Sequence, residues 1–265
     1  MNPRRRLTIS YFRRSYSFVA SLVLRDIKLR YVHSFLGVAW LALEPLVFAF
    51  TLSIVFSLNS NLKAATPGYP YPLFFYSGIL VWRFFAKAIT DGTGTFRAER
   101  MLIGKYNFPR EILVGKNVAL YWIEFAFASL SLFAMLAFFS HAPATSWVML
   151  LPWFVLTTAI CSGLILNLAS LNVFVSDVGT FFSAMTSVIF WLSPIIFRIK
   201  MESDSYWLLW LNPVAAPIEI FRMIVLDRMF PPAILFGAAT IWAVGLNLIG
   251  YTLFKKLEGG FVDAL

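Results

Sequence analysis

Side chains that could carry out covalent or metal chemistry are sparse in this sequence. One cysteine, Cys161, and two histidines, His33 and His141, are too few for an intramolecular disulfide or a cysteine–histidine metal cluster. The metalloprotease pattern HExxH, the nucleophile elbow GxSxG and the phosphate-binding loop GxxxxGK(S/T) are also absent. We therefore expect no catalytic residue, metal or cofactor in this chain, and any ATP hydrolysis to belong to another polypeptide.

A second set of polar side chains is notable because it interrupts long apolar runs. Glu44, Arg83, Asn167 and Asn247 each fall about 10–12 Å from the same end of their runs, at 1.5 Å rise per residue. Two hypotheses fit this shared depth. One is a Glu44–Arg83 ion pair with asparagine hydrogen bonds between helices; the other is a polar layer that lines a conduit. Glu124 lies about 18 Å into its run, with no evident partner at that depth.

Membrane helices are the elements that must position these side chains. Hydrophobic residues form 60% of the 265 residues, charged residues only 13%, and the mean hydropathy is +0.76, whereas soluble domains average about 45–50% and 25%. About 20 apolar residues cross a hydrocarbon core of roughly 30 Å. Six runs qualify, at residues 36–58, 71–90, 112–139, 147–174, 179–197 and 232–254. The sequence thus predicts an all-α integral membrane protein of six transmembrane helices, forming one domain over residues 1–265.

A seventh apolar stretch, 206–230, does not have the pattern of a span. Asn212-Pro213 and Pro217 interrupt it, and Arg222 adds a charge. Because proline removes a backbone donor and breaks a helix, we predict two short helices in a re-entrant or gate hairpin before the last span. An ordinary amphipathic surface loop is the alternative.

The distribution of Lys and Arg predicts the orientation. Fifteen flank the runs on one side, in the N-terminal segment, the loop after the second run and the C-terminal tail, against five on the other side. By the positive-inside rule both termini are cytoplasmic. The net charge of +9 therefore reflects membrane topology, and no nucleic-acid partner is expected.

Two cytoplasmic segments are amphipathic. Within residues 1–34, apolar positions recur every three to four residues from Tyr16 to Tyr31, which predicts a helix lying in the membrane interface. In the loop 93–112, large apolar side chains alternate with charged ones. This loop could dock a soluble ATPase or lie on anionic lipid headgroups, and composition fits both equally.

Aromatic side chains are concentrated at the predicted outer end of the second run, where Tyr71, Phe75 and Trp82 occur. Aromatic girdles are typical of any membrane interface. A carbohydrate path would use the same residue types, because sugar C–H faces stack on aromatic rings.

Short motifs occur in a fixed order over almost the whole chain. They are RDIKLRY (25–31), SxLGxxW (34–40), EPL (44–46), GxxxWxFF (78–85), KxxFPR (105–110), LNVFxxDV (171–178), SPI (193–195), NP (212–213) and FKKLE (254–258). In this order they resemble the permease subunit of bacterial ABC exporters for polysaccharides, the O-antigen and capsule type called Wzm. Ser176 departs from the pattern, because the family usually has arginine before the aspartate at that position.

The resemblance implies a homodimer in the bacterial inner membrane, with two copies of a cytoplasmic ABC ATPase that binds ATP and Mg. Lipid-linked polysaccharide would pass through a channel at the dimer interface. The N-terminal helix and the loop 93–112 would correspond to the family's interface and coupling helices. The residues of these two helices would be Arg25, Asp26, Arg30, Arg100, Lys105, Phe108, Pro109 and Arg110. The hairpin would correspond to its periplasmic gate.

Two residue-level hypotheses follow. Arg83 and Lys87 would contact an anionic part of the substrate, and Phe108-Pro109-Arg110 would seat on the ATPase. Alternatives are an ABC permease for teichoic acid or another amphipathic cargo, and an integral membrane transferase acting on lipid-linked sugars. The acid–base candidates for a transferase are Glu202, Asp204, Glu219 and Asp227, which are scattered rather than clustered.

Overall fold

The computed structural model describes residues 9–31, 36–57, 69–106, 108–139, 142–199 and 207–265, and this part of the chain is helical with no β-strand. His33, His141, Glu202, Asp204 and Tyr206, the first residue of the predicted hairpin, lie outside it. The helices are α1 (Ile9–Tyr31), α2 (Trp40–Ser57), α3 (Tyr71–Ile89), α4 (Thr95–Ala98), α5 (Arg100–Lys105), α6 (Glu111–Phe138), α7 (Leu150–Phe174), α8 (Asp177–Trp191), α9 (Leu208–Leu211), α10 (Ala215–Val225), α11 (Ala233–Leu257) and α12 (Phe261–Ala264).

Within the described residues, four helical segments are long and apolar enough to cross a membrane: Tyr71–Lys105, Glu111–Phe138, Thr145–Phe174 and Ala233–Ala264. They contain α3, α6, α7 and α11, which match the second, third, fourth and sixth predicted spans. The prediction of an all-helical membrane protein is confirmed at this level. The first and fifth spans remain predictions.

The fifth predicted span, 179–197, is not one continuous helix. Its helix α8 has 15 residues and ends at Trp191, because Pro194 lacks a backbone donor and disfavours helical geometry at Ser193. At 1.5 Å per residue α8 is about 22 Å long, shorter than the roughly 30 Å hydrocarbon core.

Helices α7 and α11 share the most extensive helix–helix contact in the described chain. Small residues permit the close approach: a Cβ on Gly163 would lie 2.7 Å from Leu246 Cβ, and one on Gly250 would lie 2.7 Å from Asn167 Nδ2. The Asn167 amide donates to the Leu246 carbonyl at 2.8 Å, and the Asn247 amide donates to the Ala159 carbonyl at 2.6 Å. These asparagines therefore join two helices.

The predicted break at Asn212-Pro213 is present, and it separates α9 from α10. The Asn212 side chain accepts a hydrogen bond from the Val214 amide at 3.0 Å and donates to Ser193 Oγ at 2.9 Å. One turn into α10, the Pro217 carbonyl accepts a bond from Trp153 Nε1 at 2.8 Å. Helix α10 is buried against α3, α7 and α11.

Arg222 of α10 is fully buried, and the carbonyl groups of neighbouring segments hold it. Its guanidinium donates to the carbonyl of Ile195 at 2.6 Å and lies 3.8 Å above the Phe74 ring. A Cβ at Gly78 would collide with the same guanidinium. Buried charge is tolerated only when its hydrogen bonds are satisfied, so Arg222 fixes α10 against α3 and against the chain that follows α8.

Helix α1 packs along the first half of α6. Near the middle of α1, the Phe18 ring lies 5.6 Å from the Phe108 ring, just before α6 begins. Near its end, Arg30 reaches Glu124 on α6. Leu22 and Val23 are buried on the packed side, while Leu24 and Leu29 are exposed on the other, which agrees with the amphipathic pattern of the sequence.

Candidate functional site

A groove of about 770 Å³ runs between α2, α3 and α8. Its lining residues are Trp40, Glu44, Val47, Thr51, Ile79, Trp82, Arg83, Thr186, Ser187, Phe190 and Trp191. The rings of Trp82 and Phe190 meet edge to face with centroids 5.8 Å apart. The lining therefore combines aromatic surface with hydroxyl groups and one pair of opposite charges.

Glu44 and Arg83 form that pair, since Arg83 Nη2 lies 2.8 Å from Glu44 Oε2. Both side chains remain partly accessible, at 62% and 29% of their full exposure. Glu44 and Arg83 are therefore an ion pair that faces an open groove. That a polar layer lines a conduit stays a prediction.

Only one of the three predicted aromatic path residues lines the groove. Trp82 lies in its wall, whereas Phe75 is fully buried in the helix bundle and the Tyr71 hydroxyl donates to the Ile196 carbonyl at 3.2 Å. The sequence-based selection missed Phe190 and Trp191. Their signal is the sequence T-S-V-I-F-W at 186–191, where hydroxyl and aromatic side chains share one segment.

Asn167 and Lys87 were predicted in the substrate path, and the structure places both elsewhere. Asn167 lies between α7 and α11, where it acts as an interhelical amide. Lys87 Nζ lies 2.8 Å from Glu124 Oε2 and therefore points toward α6. Of the two cations proposed to contact substrate, Arg83 is the one in the groove wall.

Glu124, expected to lack a partner, has two. Arg30 Nη1 lies 2.6 Å from Glu124 Oε1 on one side, and Lys87 contacts the carboxylate on the other. The depth argument failed because α6 has 28 residues and is about 42 Å long, so its first turns extend past a hydrocarbon core of roughly 30 Å. Counting depth from the start of α6 also ignored partners from α1.

A second charge cluster joins α1 to the loop that carries α4 and α5. Lys116 Nζ lies 2.8 Å from Asp26 Oδ2 and 3.0 Å from Glu99 Oε1, and Arg25 Nη2 contacts the same Glu99 oxygen at 2.5 Å. Burial raises the pKa of Asp26, but hydrogen bonds and charge from Lys116 and Arg25 outweigh burial and leave this pKa below its ordinary value. Asp26 is therefore held ionised in the cluster.

The residues predicted to seat an ATPase divide into two groups. Phe108, Pro109 and Arg110 are half-buried, because Phe108 packs on α1 while Arg110 donates to the Glu258 carbonyl and lies over the Phe261 ring. Arg100 and Lys105 on α5 are exposed. Beside them, Met101 and Tyr106, two of the large apolar side chains of the loop 93–112, are 62% and 64% exposed.

The family of this chain is shown by comparison with known proteins. The family model for ABC-2 type transporters matches residues 18–226. This chain belongs to the ABC-2 type transporter family. The match includes α2, α3 and α8, the three helices that form the groove.

Curated relatives of this ABC-2 type chain align over nearly their full length. The O-antigen export system permease protein RfbA of Klebsiella pneumoniae is 28% identical over 247 residues, which cover 91% of this chain and 92% of that protein. RfbA of Myxococcus xanthus is 26% identical, with 92% and 94% covered. The polysialic acid transport protein KpsM of Escherichia coli is 23% identical, with 91% and 93% covered. The resemblance carried by the sequence motifs is confirmed.

The described acid–base candidates of the transferase alternative are in ion pairs. Asp227 pairs with Arg198 and accepts a hydrogen bond from the Tyr69 hydroxyl at 2.9 Å, and Glu219 lies 3.4 Å from Arg222. Both carboxylates are shielded from solvent. In this ABC-2 type protein they connect α10 and the turn after it to Arg198 and Tyr69, and the family consists of membrane transport subunits.

Proposed function

We propose that this chain is the permease subunit of an ATP-driven exporter that moves lipid-linked polysaccharide, O-antigen or capsular, across the bacterial inner membrane. The observation that carries the proposal is the aromatic and polar groove between α2, α3 and α8, in an ABC-2 chain whose curated relatives are named as O-antigen and polysialic acid permeases.

The groove chemistry suits a sugar chain. Sugar rings offer apolar C–H faces that pack on aromatic side chains such as Trp40, Trp82 and Trp191, and their hydroxyls need hydrogen-bond partners. Glu44 and Arg83 supply an acceptor and donors within the same wall. Neither requirement depends on one particular sugar, which fits a conduit for a polymer.

The polar side chains that line the groove also favour a homodimer. Charges and hydroxyls facing hydrocarbon are costly, so the groove must be covered by protein or water. Helix α8 buries none of its residues within one subunit, and Val47 and Phe50 on α2 are strongly exposed. A second copy meeting α2 and α8 would close two open grooves into one enclosed channel.

A cytoplasmic ATPase is the second proposed partner, in two copies, each binding ATP and Mg. The exposed surface of Arg100, Met101, Lys105 and Tyr106 on and beside α5 offers large apolar side chains within a basic rim, which is the usual make-up of a protein interface. Phe108, Pro109 and Arg110, which line a pocket of about 430 Å³, remain a second proposed contact.

Helices α1 and α12 both contact the part of the chain that carries this surface. Phe18 of α1 packs on Phe108, and Phe261 of α12 packs on Phe96, with ring centroids 4.9 Å apart. These contacts of α1 and α12, together with the distribution of Lys and Arg along the sequence, support the proposal that both termini are cytoplasmic.

Deleting the gene in the native host tests the cargo. The proposal expects loss of surface polysaccharide with lipid-linked glycan accumulating inside the cell, and restoration of both by a plasmid copy. If the deletion strain instead lost teichoic acid or another amphipathic product from its surface, the chain would still be an exporter permease, but its cargo would be that product.

A further inference from the structure

A series of six charged side chains, made of two ion-paired groups, leads from the N-terminal helix to the groove. Arg30 of α1 pairs with Asp91 at 3.2 Å and with Glu124 at 2.6 Å, and Glu124 pairs with Lys87 at 2.8 Å. The series ends in the groove at the Arg83–Glu44 pair, at 2.8 Å. Three carboxylates and three cations thus neutralise one another.

The step from Lys87 to Arg83 joins the two halves of the series. These residues are one helical turn apart on α3 and so share a face. Together with Glu124 they line a cavity of about 20 Å³ between α2, α3 and α6. Because Arg83 lines both this cavity and the groove, a displacement of the Glu124 carboxylate can reach the groove wall through Lys87 and Arg83.

The other end of the series is tied to the proposed ATPase surface. Five residues before Arg30, Arg25 pairs with Glu99, the residue immediately before α5. Asp26 and Glu99 also share Lys116. Helix α1 is therefore attached to the α5 segment at one point and to the groove-lining helices at another.

Burial makes these contacts resistant to independent movement. The Glu124 side chain is only 7% exposed, and separating a buried carboxylate from its cations leaves an uncompensated charge. A shift of α1 must therefore carry α3 and α6 with it or break the series.

We propose that Arg30 is a positioning residue that transmits movement of the α5 segment to the groove through Glu124, Lys87 and Arg83. The inference rests on the proposed exporter function. It assigns Arg30 no contact with substrate or nucleotide.

Thiol labelling of the groove tests the proposal. The single cysteine, Cys161, is fully buried, so Ser187→Cys places one accessible thiol in the groove wall. The maleimide labelling rate is measured on the purified complex with its ATPase, with and without a non-hydrolysable ATP analogue. Arg30→Gln is compared with Arg30→Lys, which keeps the charge, and with Lys28→Gln, an exposed residue on the same helix.

The proposal expects nucleotide to change the labelling rate about fivefold in the Ser187→Cys parent, a size typical of coupling between sites. Arg30→Gln should abolish that difference while complex recovery and basal ATP hydrolysis are kept, and the Arg30→Lys and Lys28→Gln proteins should behave as the parent. A nucleotide response that survives Arg30→Gln overturns the proposal. Loss of assembly in Arg30→Gln also overturns it, because the contact then serves folding alone. A parent without any nucleotide response contradicts the proposed function itself.

Discussion

Arg83 on α3 and Glu44 on α2 meet at 2.8 Å in the wall of the groove, and both side chains remain open to its interior. This single contact joins two helices, and under the proposed function it places donors and an acceptor where a sugar would reach them. The proposed passage of substrate through the groove depends on both roles of this ion pair.

Removing the pair should impair export without preventing assembly. For Arg83→Ala we expect export to fall roughly tenfold or more, since a hydrogen bond to a charged group is worth about 1.5–3 kcal/mol. Arg83→Lys should retain part of the activity, and Lys28→Ala should export normally. Surface polysaccharide in complemented deletion cells is the measurement, normalised to the amount of permease in the membrane. Normal export by the Arg83→Ala protein would remove this residue from the substrate path.

If a second copy of the chain covers the groove, cysteines on α8 of the two copies should be close enough to cross-link. Val188→Cys on the exposed side of α8 should join two chains through a short bis-maleimide in native membranes. Tyr251→Cys is an equally exposed control on α11 and should remain monomeric on a denaturing gel. Cross-linking from α11 but not from α8 would place the dimer interface elsewhere.

The exposed side chains beside α5 should hold the ATPase. We expect Tyr106→Ala to weaken binding of the ATPase by at least about 1 kcal/mol, because large exposed aromatic residues often anchor interfaces. Leu248→Ala, which truncates an exposed residue of α11, should leave recovery unchanged. Binding is measured by titrating the purified partners in detergent. Equal affinities for the two variants would exclude this surface.

Two glycine substitutions should have opposite effects on stability. A methyl group at Gly78 meets the buried Arg222 guanidinium, whereas one at Gly237 meets open space. Gly78→Ala should therefore destabilise the protein by about 1–3 kcal/mol through overpacking, and Gly237→Ala should be neutral or stabilise its helix by up to about 1 kcal/mol. Thermal unfolding in detergent distinguishes them. A Gly78→Ala protein as stable as the parent would show that Arg222 is not fixed at this site.

Four of the six predicted membrane helices match described helices that are long and apolar enough to span a membrane, because hydropathy is a property of the local sequence. The predicted run 71–90 ends one residue after the helix Tyr71–Ile89. The predicted run 112–139 begins and ends one residue after the helix Glu111–Phe138. The break at Asn212-Pro213 was equally visible, because the loss of a donor at proline is a local effect.

The contacts of individual side chains were less predictable because they depend on packing between distant segments. Glu124 lacked an evident partner because depth was counted within one run, whereas its partners Arg30 and Lys87 come from two other helices. Arg110 in a basic loop was expected to face the cytosol, yet it is held by Glu258 and Phe261, about 150 residues later. Asn167 shared its depth with Arg83 but faces another helix.

Purifying the tagged chain in mild detergent from its native host tests the central claim most directly. The account predicts stoichiometric recovery of a second protein with nucleotide-binding motifs, and ATP hydrolysis that rises when lipid-linked glycan is added. A chain that is recovered alone under several gentle conditions, with no ATP hydrolysis, would contradict an exporter permease. Glu44, Arg83 and Glu124 would then be examined as a proton or ion path.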